Sequence, residues 1–426
     1  MTAAAARTIR RRFLALRALR YLPTGLLVPV TVLLLTERGF SLGQIGLVFA
    51  AQGAVVLLLE LPTGGLADAL GRRPVLIAAT AVELVSLVLL VFAHSTLLLA
   101  IVWALQGVYR AMESGPLEAW YVDAALRADP DAAIERGLSA GSAAIGVAVA
   151  AGALLAGGLV TLDPWPAIEP LLLPLMVAAM LCALEVGALA ALMTETRPRI
   201  RWAAVRASVV AVPSVVLDAV TLVRGSRVLL ALVSVELFWG FGMNTFETLL
   251  PARLADVVGS ADRAAALLGP SSSLAWLVAA VGAAATPLVT RRVGSAVTAA
   301  GLRLAQGLTV VAMAVSAGPA GVLAAYLATY AVHGAANPVH FGLLHRHVGG
   351  EHRATVLSVN SMVSLTSGAI GGIVLGWLAD ATSVAVAMIA GAVVLAVATP
   401  LYLPAYGADR RRRRAVVAGY RPAATT

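Results

Sequence analysis

The stretch GGLADALGRRP, residues 64–74, joins two long apolar runs that cover residues 43–67 and 74–93. Each run is about as long as the roughly 20 apolar residues that cross a bilayer as a helix. Between the runs, Gly71 permits a turn that a side chain would hinder. Two arginines follow this glycine. The stretch is therefore predicted to be a short polar loop between two transmembrane helices.

The composition of the chain agrees with this prediction throughout. The 426 residues are 60% hydrophobic and 12% charged, and the mean hydropathy is +0.90. Ordinary soluble domains carry about 25% charged residues, so the composition excludes a soluble protein, and its apolar content excludes a disordered chain. The strand-like alternation of a membrane barrel is absent, and helices satisfy their own backbone in lipid. The predicted fold class is an all-α polytopic membrane protein.

Twelve apolar runs are long enough to span a bilayer. The first run is longer than the apolar core of a signal peptide, so we interpret it as the first transmembrane helix. Helix boundaries predicted from sequence are accurate to a few residues. The predicted spans are 13–36, 43–67, 74–93, 97–122, 137–160, 168–193, 228–250, 263–289, 295–316, 319–341, 353–379 and 383–403.

The arginines indicate the orientation of the chain. The formal net charge is +9, and all 31 basic residues are arginine. When an arginine that begins a span is counted with the loop before it, the two tails and every second loop hold 24 of them, whereas the loops on the other side hold three. By the positive-inside rule both termini are predicted to be cytoplasmic, in the plasma membrane of a bacterium. Because the charge is spread over loops and tails, nucleic acid is not expected as a partner.

The longest polar connection divides the chain into two similar parts. We predict an N-terminal six-helix bundle at 1–193, a cytoplasmic loop at 194–227, a C-terminal six-helix bundle at 228–403 and an arginine-rich tail at 404–426. Two proline pairs support an internal repeat, because each pair is separated by 222 residues. They are Pro29 with Pro251 and Pro116 with Pro338.

The loop at 64–74 resembles the signature loop of the major facilitator superfamily, G-x-x-x-D-x-x-G-R-R/K, in its sequence and in its position after the second span. The matching residues are Gly64, Asp68, Gly71, Arg72 and Arg73. The resemblance implies the fold of that superfamily, with two six-helix halves, no cofactor and monomeric function. In the family this aspartate fastens the two halves on the cytoplasmic side in the outward-facing state. We therefore expect the loop to take part in gating.

Within the superfamily, the chain looks most like the twelve-span drug:proton antiporters, with two departures. In span 4, Trp103 stands where these exporters carry an arginine, and Arg110 can take its role. In span 5, the glycine-rich run 152–158 lacks the proline of the exporter motif and is one residue longer.

The resemblance implies that spans 1, 4, 7 and 10 line the central cavity, and charged residues in a membrane face a partner or a wet cavity. Carboxylates and histidines there can exchange protons, and Arg110 and Glu113 are spaced to form a pair. The candidates for proton coupling or substrate binding are Arg110, Glu113, Glu236, Glu247 and His333. The further cavity-lining candidates are Arg20, Tyr21, Gln106, Trp239, Met243, Asn244, Asn337 and His340.

Three more acids lie in spans outside the cavity-lining set: Glu60, Glu83 and Glu185. For Glu60 and Glu83 we expect a structural hydrogen-bonding role. The single cysteine, Cys182, excludes a disulfide and a cysteine-based metal site, and no metal site is expected elsewhere.

The sequence contains neither a G-x-x-x-x-G-K-S/T phosphate loop nor an H-E-x-x-H motif, so neither ATP hydrolysis nor other enzyme activity is expected. We predict a secondary transporter, proton-coupled and exporting amphipathic or lipophilic compounds by alternating access. The alternative is uptake or facilitated transport of a small polar or anionic metabolite bound by Arg20 and Arg110. A third hypothesis is a non-transporting membrane sensor or scaffold. The expected partners are a small-molecule substrate, protons and the lipid bilayer.

Overall fold

The computed structural model describes residues 3–130, 132–195, 217, 220–348 and 353–417. The regular secondary structure of these residues is helical, and most of the predicted loop at 194–227 lies outside them. The helices are α1 Ala3–Leu27, α2 Thr31–Glu37, α3 Leu42–Leu70, α4 Arg72–Val91, α5 Thr96–Glu113, α6 Pro116–Ala128, α7 Ile134–Leu162, α8 Leu172–Leu192, α9 Arg227–Glu247, α10 Leu249–Val258, α11 Ala261–Val293, α12 Ser295–Val315, α13 Pro319–His347, α14 Arg353–Ala381, α15 Val384–Val397 and α16 Leu403–Val417, with a 3-10 helix at Thr399–Tyr402.

Four predicted spans are interrupted, and one of them is span 12, where α15 ends before the 3-10 helix at Thr399–Tyr402. Span 1 divides into α1 and α2 at a turn that contains Pro29. Span 7 divides into α9 and α10 at Thr248, shortly before Pro251. In span 4, Gly115 has a φ of 92° and Pro116 begins α6. Glycine tolerates a positive φ and proline lacks an amide proton, so these residues end one helix and permit the next.

Ten helices or joined helices in the described part of the chain are long and apolar enough to cross a membrane. They correspond to ten of the twelve predicted spans. The other two predicted spans are span 4, at α5 and α6, and span 10, at α13. Both carry several polar side chains, such as Gln106, Arg110 and Glu113 in α5, and these residues lower the hydropathy.

The two sequence halves repeat the same local geometry. A glycine with positive φ precedes α4 and α12 alike, at 96° and 89°. In α4, Ser86 accepts a hydrogen bond from Gln106 at 3.1 Å. In α12, Thr309 accepts one from Thr329 at 2.9 Å. The matching positions are 223 residues apart, one more than the proline pairs, so α4 and α12 have the same register within their halves.

The chain forms two compact units. The first contains Met1–Val212, Thr248–Trp276 and Gly372–Val384, and the second contains Pro213–Glu247, Leu277–Gly371 and Ala385–Thr426. Two short segments of the C-terminal half therefore belong to the first unit. In the first unit, α1 packs on α7 and α8, and α4 packs on α5 and α8. In the second unit, α13 packs on α9 and α12.

Small residues allow the helices of the first unit to approach closely. A Cβ on Gly25 would lie 2.2 Å from the backbone oxygen of Val149, and a Cβ on Gly152 would lie 2.4 Å from that of Leu22. Helices α1 and α7 therefore touch backbone to backbone, the packing that small residues favour in membranes.

The end of α14 lies against the start of α3 in the same unit. The two carboxylate oxygens of Asp380 accept hydrogen bonds from the backbone N–H groups of Leu42 and Gly43, at 2.9 and 2.8 Å. A Cβ on Gly46 would lie 2.2 Å from the backbone oxygen of Gly372. This contact joins spans 2 and 11.

Candidate functional site

A buried charged cluster lies in the first unit, centred on Arg20 of α1. Its guanidinium donates to Oε1 of Glu185 in α8 at 2.7 Å and to the hydroxyl of Thr80 in α4 at 3.1 Å. A third group, the carboxylate of Glu113 in α5, lies 3.9 Å from Nη1. Arg20 is 1% exposed. Four helices therefore meet at one guanidinium, and this guanidinium already interacts with the carboxylates of Glu185 and Glu113.

Glu83 of α4 adds another acid to this cluster. Its side chain is 3% exposed and lies within hydrogen-bonding range of the Tyr109 hydroxyl on α5. The thiol of Cys182 also lies near Glu83 and Glu185. The sequence prediction had left Glu83 and Glu185 outside the site because they belong to spans 3 and 6. The structure instead pairs Glu185 with Arg20 and places Glu83 within electrostatic range of the same guanidinium.

The predicted span 4 candidates separate in the structure. Glu113 accepts a hydrogen bond from the hydroxyl of Tyr21 at 3.2 Å, whereas Arg110 is exposed. No ion pair joins Arg110 to Glu113 among the described side chains. Gln106 donates to Ser86 and so holds α5 against α4. Glu113 therefore interacts with Arg20 and Tyr21 of α1 and not with Arg110 of its own helix.

A second polar cluster lies in the second unit. Glu236 of α9 lies 3.2 Å from Nε2 of His340 in α13. His340 also contacts the hydroxyl of Tyr402 at 3.1 Å and the amide oxygen of Asn360 at 3.4 Å. Glu236 and His340 are both almost fully buried. This cluster joins two predicted candidates from spans 7 and 10.

Sequence reasoning missed the cation of this second cluster. Arg303 of α12 is 1% exposed, and its guanidinium lies 4.7 Å from the ring centroid of Trp239. It also donates to the Oε1 atom of Gln306 at 3.1 Å. An arginine inside an otherwise apolar span was the available signal, since such a charge requires a partner.

Aromatic side chains form a wall, defined here as Trp239, Phe246, Tyr330 and His333. The rings of Trp239 and His333 stack with centroids 4.9 Å apart. Tyr330 meets Phe246 edge-on at 5.9 Å and His333 at 5.9 Å. Offset and edge-on arrangements of this kind are the favourable ones for aromatic pairs. Trp239 and Phe246 are buried, so the wall lies inside the second unit, next to the second polar cluster.

The remaining predicted candidates of α9 and α13 lie outside the second polar cluster. The amide of Asn244 donates to the backbone oxygen of Gly368 at 2.9 Å. Asn337 contacts His333 at 3.3 Å. Met243 is half-buried and Glu247 is exposed. Asn337 and His333 therefore belong to one group, and Asn244 holds α9 against α14.

Most of the stretch predicted to be a loop at 64–74 is helical: residues 64–70 lie in α3 and 72–74 in α4, so only the tight turn at Gly71 remains between the helices. Gly71 has a φ of 96° and a ψ of 151°, which suits glycine. The carboxylate of Glu195 accepts from the backbone N–H groups of Arg72 and Arg73, at 3.1 and 3.0 Å. Arg72 also pairs with Asp123 at 2.5 Å. Gly64 and Asp68 lie in α3, and the side chain of Asp68, like the predicted gating contact, lies outside the described part of the structure.

Within the described residues, no three histidine, cysteine, aspartate or glutamate side chains are placed to hold a metal ion. The two polar clusters instead consist of carboxylates with arginine, histidine and hydroxyl partners. Such groups can hold or release protons and can bind charged or polar parts of a small molecule.

Comparison with known proteins agrees with this architecture. Residues 13–337 match the sequence profile described as Major Facilitator Superfamily. The crystal structure of the nucleoside transporter NupG is 14% identical, with a TM-score of 0.76, and the match covers 93% of this chain and 98% of NupG. A bacterial homolog of the human lysosomal transporter Spinster, in an inward-facing and occupied conformation, is 15% identical, with a TM-score of 0.75 and coverage of 95% and 98%. No curated protein matches the sequence. Because the profile covers more than half of its length, the chain belongs to the major facilitator superfamily of membrane transporters.

Proposed function

We propose that this transporter exports amphipathic or lipophilic small molecules in exchange for protons, by alternating access. The aromatic wall beside the buried carboxylate of Glu236 is the observation that carries the proposal. Aromatic faces bind flat apolar groups and attract cations. The carboxylate of Glu236 lies one helical turn from Trp239 on α9 and can compensate a positive charge on the substrate.

The state of the buried Arg20 supports export of a neutral or cationic compound over transport of an anion. Arg20 is bound by Glu185 and Thr80. An anionic substrate at Arg20 would have to displace Glu185, and leaving that buried carboxylate without its arginine is costly.

Uptake of a small polar metabolite is the second candidate. The amide of Asn337 lies beside His333 in the aromatic wall, so a flat ring and hydrogen-bonding groups could be bound together. A nucleoside has both features, and NupG, which shares the fold at 14% identity, is a nucleoside transporter.

The proposal is tested with purified protein in proteoliposomes. Tetraphenylphosphonium is the lipophilic cation and uridine is the polar ring compound, and a pH-sensitive dye reports proton movement. We expect tetraphenylphosphonium to drive proton movement in the wild type, and Glu236→Gln and Trp239→Ala to abolish it. The matched control is Trp165→Ala, since Trp165 is 59% exposed. Uridine flux without a response to the cation would refute the export proposal and support the second candidate.

The proposal includes three further features from the sequence. The sequence halves 1–193 and 228–403 are the bodies that move. Both termini are cytoplasmic in a bacterial plasma membrane, and the protein works as a monomer. The placement of the arginines supports the orientation.

A further inference from the structure

The charged cluster around Arg20 contains more acids than bases. Three carboxyl groups surround one guanidinium: Glu83 of α4, Glu113 of α5 and Glu185 of α8. The other titratable groups that face Glu83 are Tyr109 of α5 and Cys182 of α8. The nearby Arg17 is already paired with Glu118 at 2.5 Å. If all three carboxyl groups were ionised, the cluster would hold an uncompensated negative charge away from water, which is costly.

Among the three acids, Glu83 has the fewest partners. Glu185 is bound directly by Arg20, and Glu113 lies between Arg20 and Tyr21. The partner of Glu83 is the neutral hydroxyl of Tyr109. Its Oε2 atom is buried and has no hydrogen-bond donor among the described residues. A proton on this atom would reduce the excess from two negative charges to one without disturbing the other pairs.

The internal repeat provides a comparison for this position. Glu83 is eleven residues after the first residue of α4, and Gln306 is eleven residues after the first residue of α12. The second half thus has an uncharged amide at this place, where it accepts a hydrogen bond from Arg303. A glutamine therefore fits this position of the helix, and the first half differs from the second by a group that can bind a proton.

We propose that Glu83 is the proton-binding carboxyl of this transporter, and that the Arg20–Glu185 pair is its fixed countercharge. A proton taken from water bonds to Oε2 and converts the carboxylate to a neutral acid, and its release restores the carboxylate. Binding and release happen once in each transport cycle. This inference rests on the proposed proton-coupled function and assigns it to α4 rather than to a cavity-lining span.

The first experiment detects the proton without any substrate. Infrared spectra of the full chain in lipid are recorded while pH is varied, and the carbonyl stretch of protonated carboxyl groups is followed. We expect a band that titrates in the wild type, is lost in Glu83→Gln and remains in Glu135→Gln, since Glu135 is exposed at the start of α7. Tyr109→Phe removes the single donor and shifts the frequency of the band. A band that is unchanged in both Glu83→Gln and Tyr109→Phe overturns the proposal.

A transport experiment separates this inference from the proposed function. Uptake of tetraphenylphosphonium driven by a pH gradient is compared with its exchange across proteoliposomes at equal pH. Glu83→Gln should lose gradient-driven uptake and keep exchange. If the wild type shows gradient-driven uptake and Glu83→Gln matches it, this inference is overturned while the proposed function stands. If wild-type transport moves no protons, the proposed function fails, and the coupling role of Glu83 fails with it.

Discussion

Replacing Asp380 with alanine removes the acceptor that caps the start of α3. The two oxygens of this side chain accept from the first two N–H groups of the helix. The next N–H, that of Gln44, is satisfied by Ser41 in a capping box. Asp380→Ala therefore leaves two donors of α3 without their acceptor and leaves the rest of the cap intact.

The size of the effect follows from the geometry and the exposure of the site. Loss of a capping side chain costs about 0.5–2 kcal/mol, and the favourable charge near a helix N-terminus contributes about 0.3–1 kcal/mol. Because Asp380 is exposed, water and salt reduce the second contribution. We expect a net loss of about 1–2 kcal/mol, which weakens the contact between α3 and α14 by a factor of about 5–30.

The assay is a distance measurement between spin labels at Leu47 and Thr382, which are exposed positions on α3 and beside α14. The labels are attached to cysteines introduced at these two positions. The native Cys182 is buried, so we expect it to stay unlabelled. If the contact opens in the proposed alternating-access cycle, Asp380→Ala should shift the distance distribution towards longer values. Asp380→Asn keeps one acceptor oxygen and should shift it less. A distribution that is identical in all three proteins would refute the capping argument.

Three further predictions concern stability, each measured as thermal unfolding in detergent. Arg20→Met should cost about 3–5 kcal/mol because it leaves a buried carboxylate uncompensated, and adding Glu185→Met should recover most of the loss; equal stability of the single and double variants would contradict this. Gly152→Leu should prevent close packing of α1 on α7, since its Cβ position is 2.4 Å from a backbone oxygen, whereas Gly158→Leu has open space and should be nearly neutral. Gly71→Ala should cost about 1–3 kcal/mol because its positive φ, with an extended ψ, is a conformation that essentially only glycine adopts, and an unchanged melting temperature would contradict that reason.

Much of the fold could be predicted from residue patterns along the chain. The all-helical fold class and the membership of the major facilitator superfamily are confirmed. The sequence at 64–74 was decisive for recognising the superfamily. Its turn was predictable because the positive φ at Gly71 depends only on the local absence of a side chain. Helix breaks were less predictable. Pro29, for example, lies in a turn whereas Pro338 lies inside α13, because neighbouring helices decide whether a proline is tolerated.

The candidate site was harder to predict. Its members from spans 4, 7 and 10 were found as polar stripes, but Glu83, Glu185 and Arg303 were not assigned to it. A stripe shows which residues share a face of one helix. It does not show which way that face turns in the bundle, so acids on spans 3 and 6 could not be connected with Arg20.

The amino-acid sequence by itself determined that the chain crosses the membrane repeatedly as helices, because the length and hydropathy of a segment set its free energy in lipid. It also determined the positive-φ turn at Gly71, which depends on the absence of a side chain. Only the tertiary structure decided which buried charges meet. Arg20 and Glu185 are 165 residues apart, and their pairing depends on the rotation of α1 and α8, which close packing around small residues such as Gly25 sets.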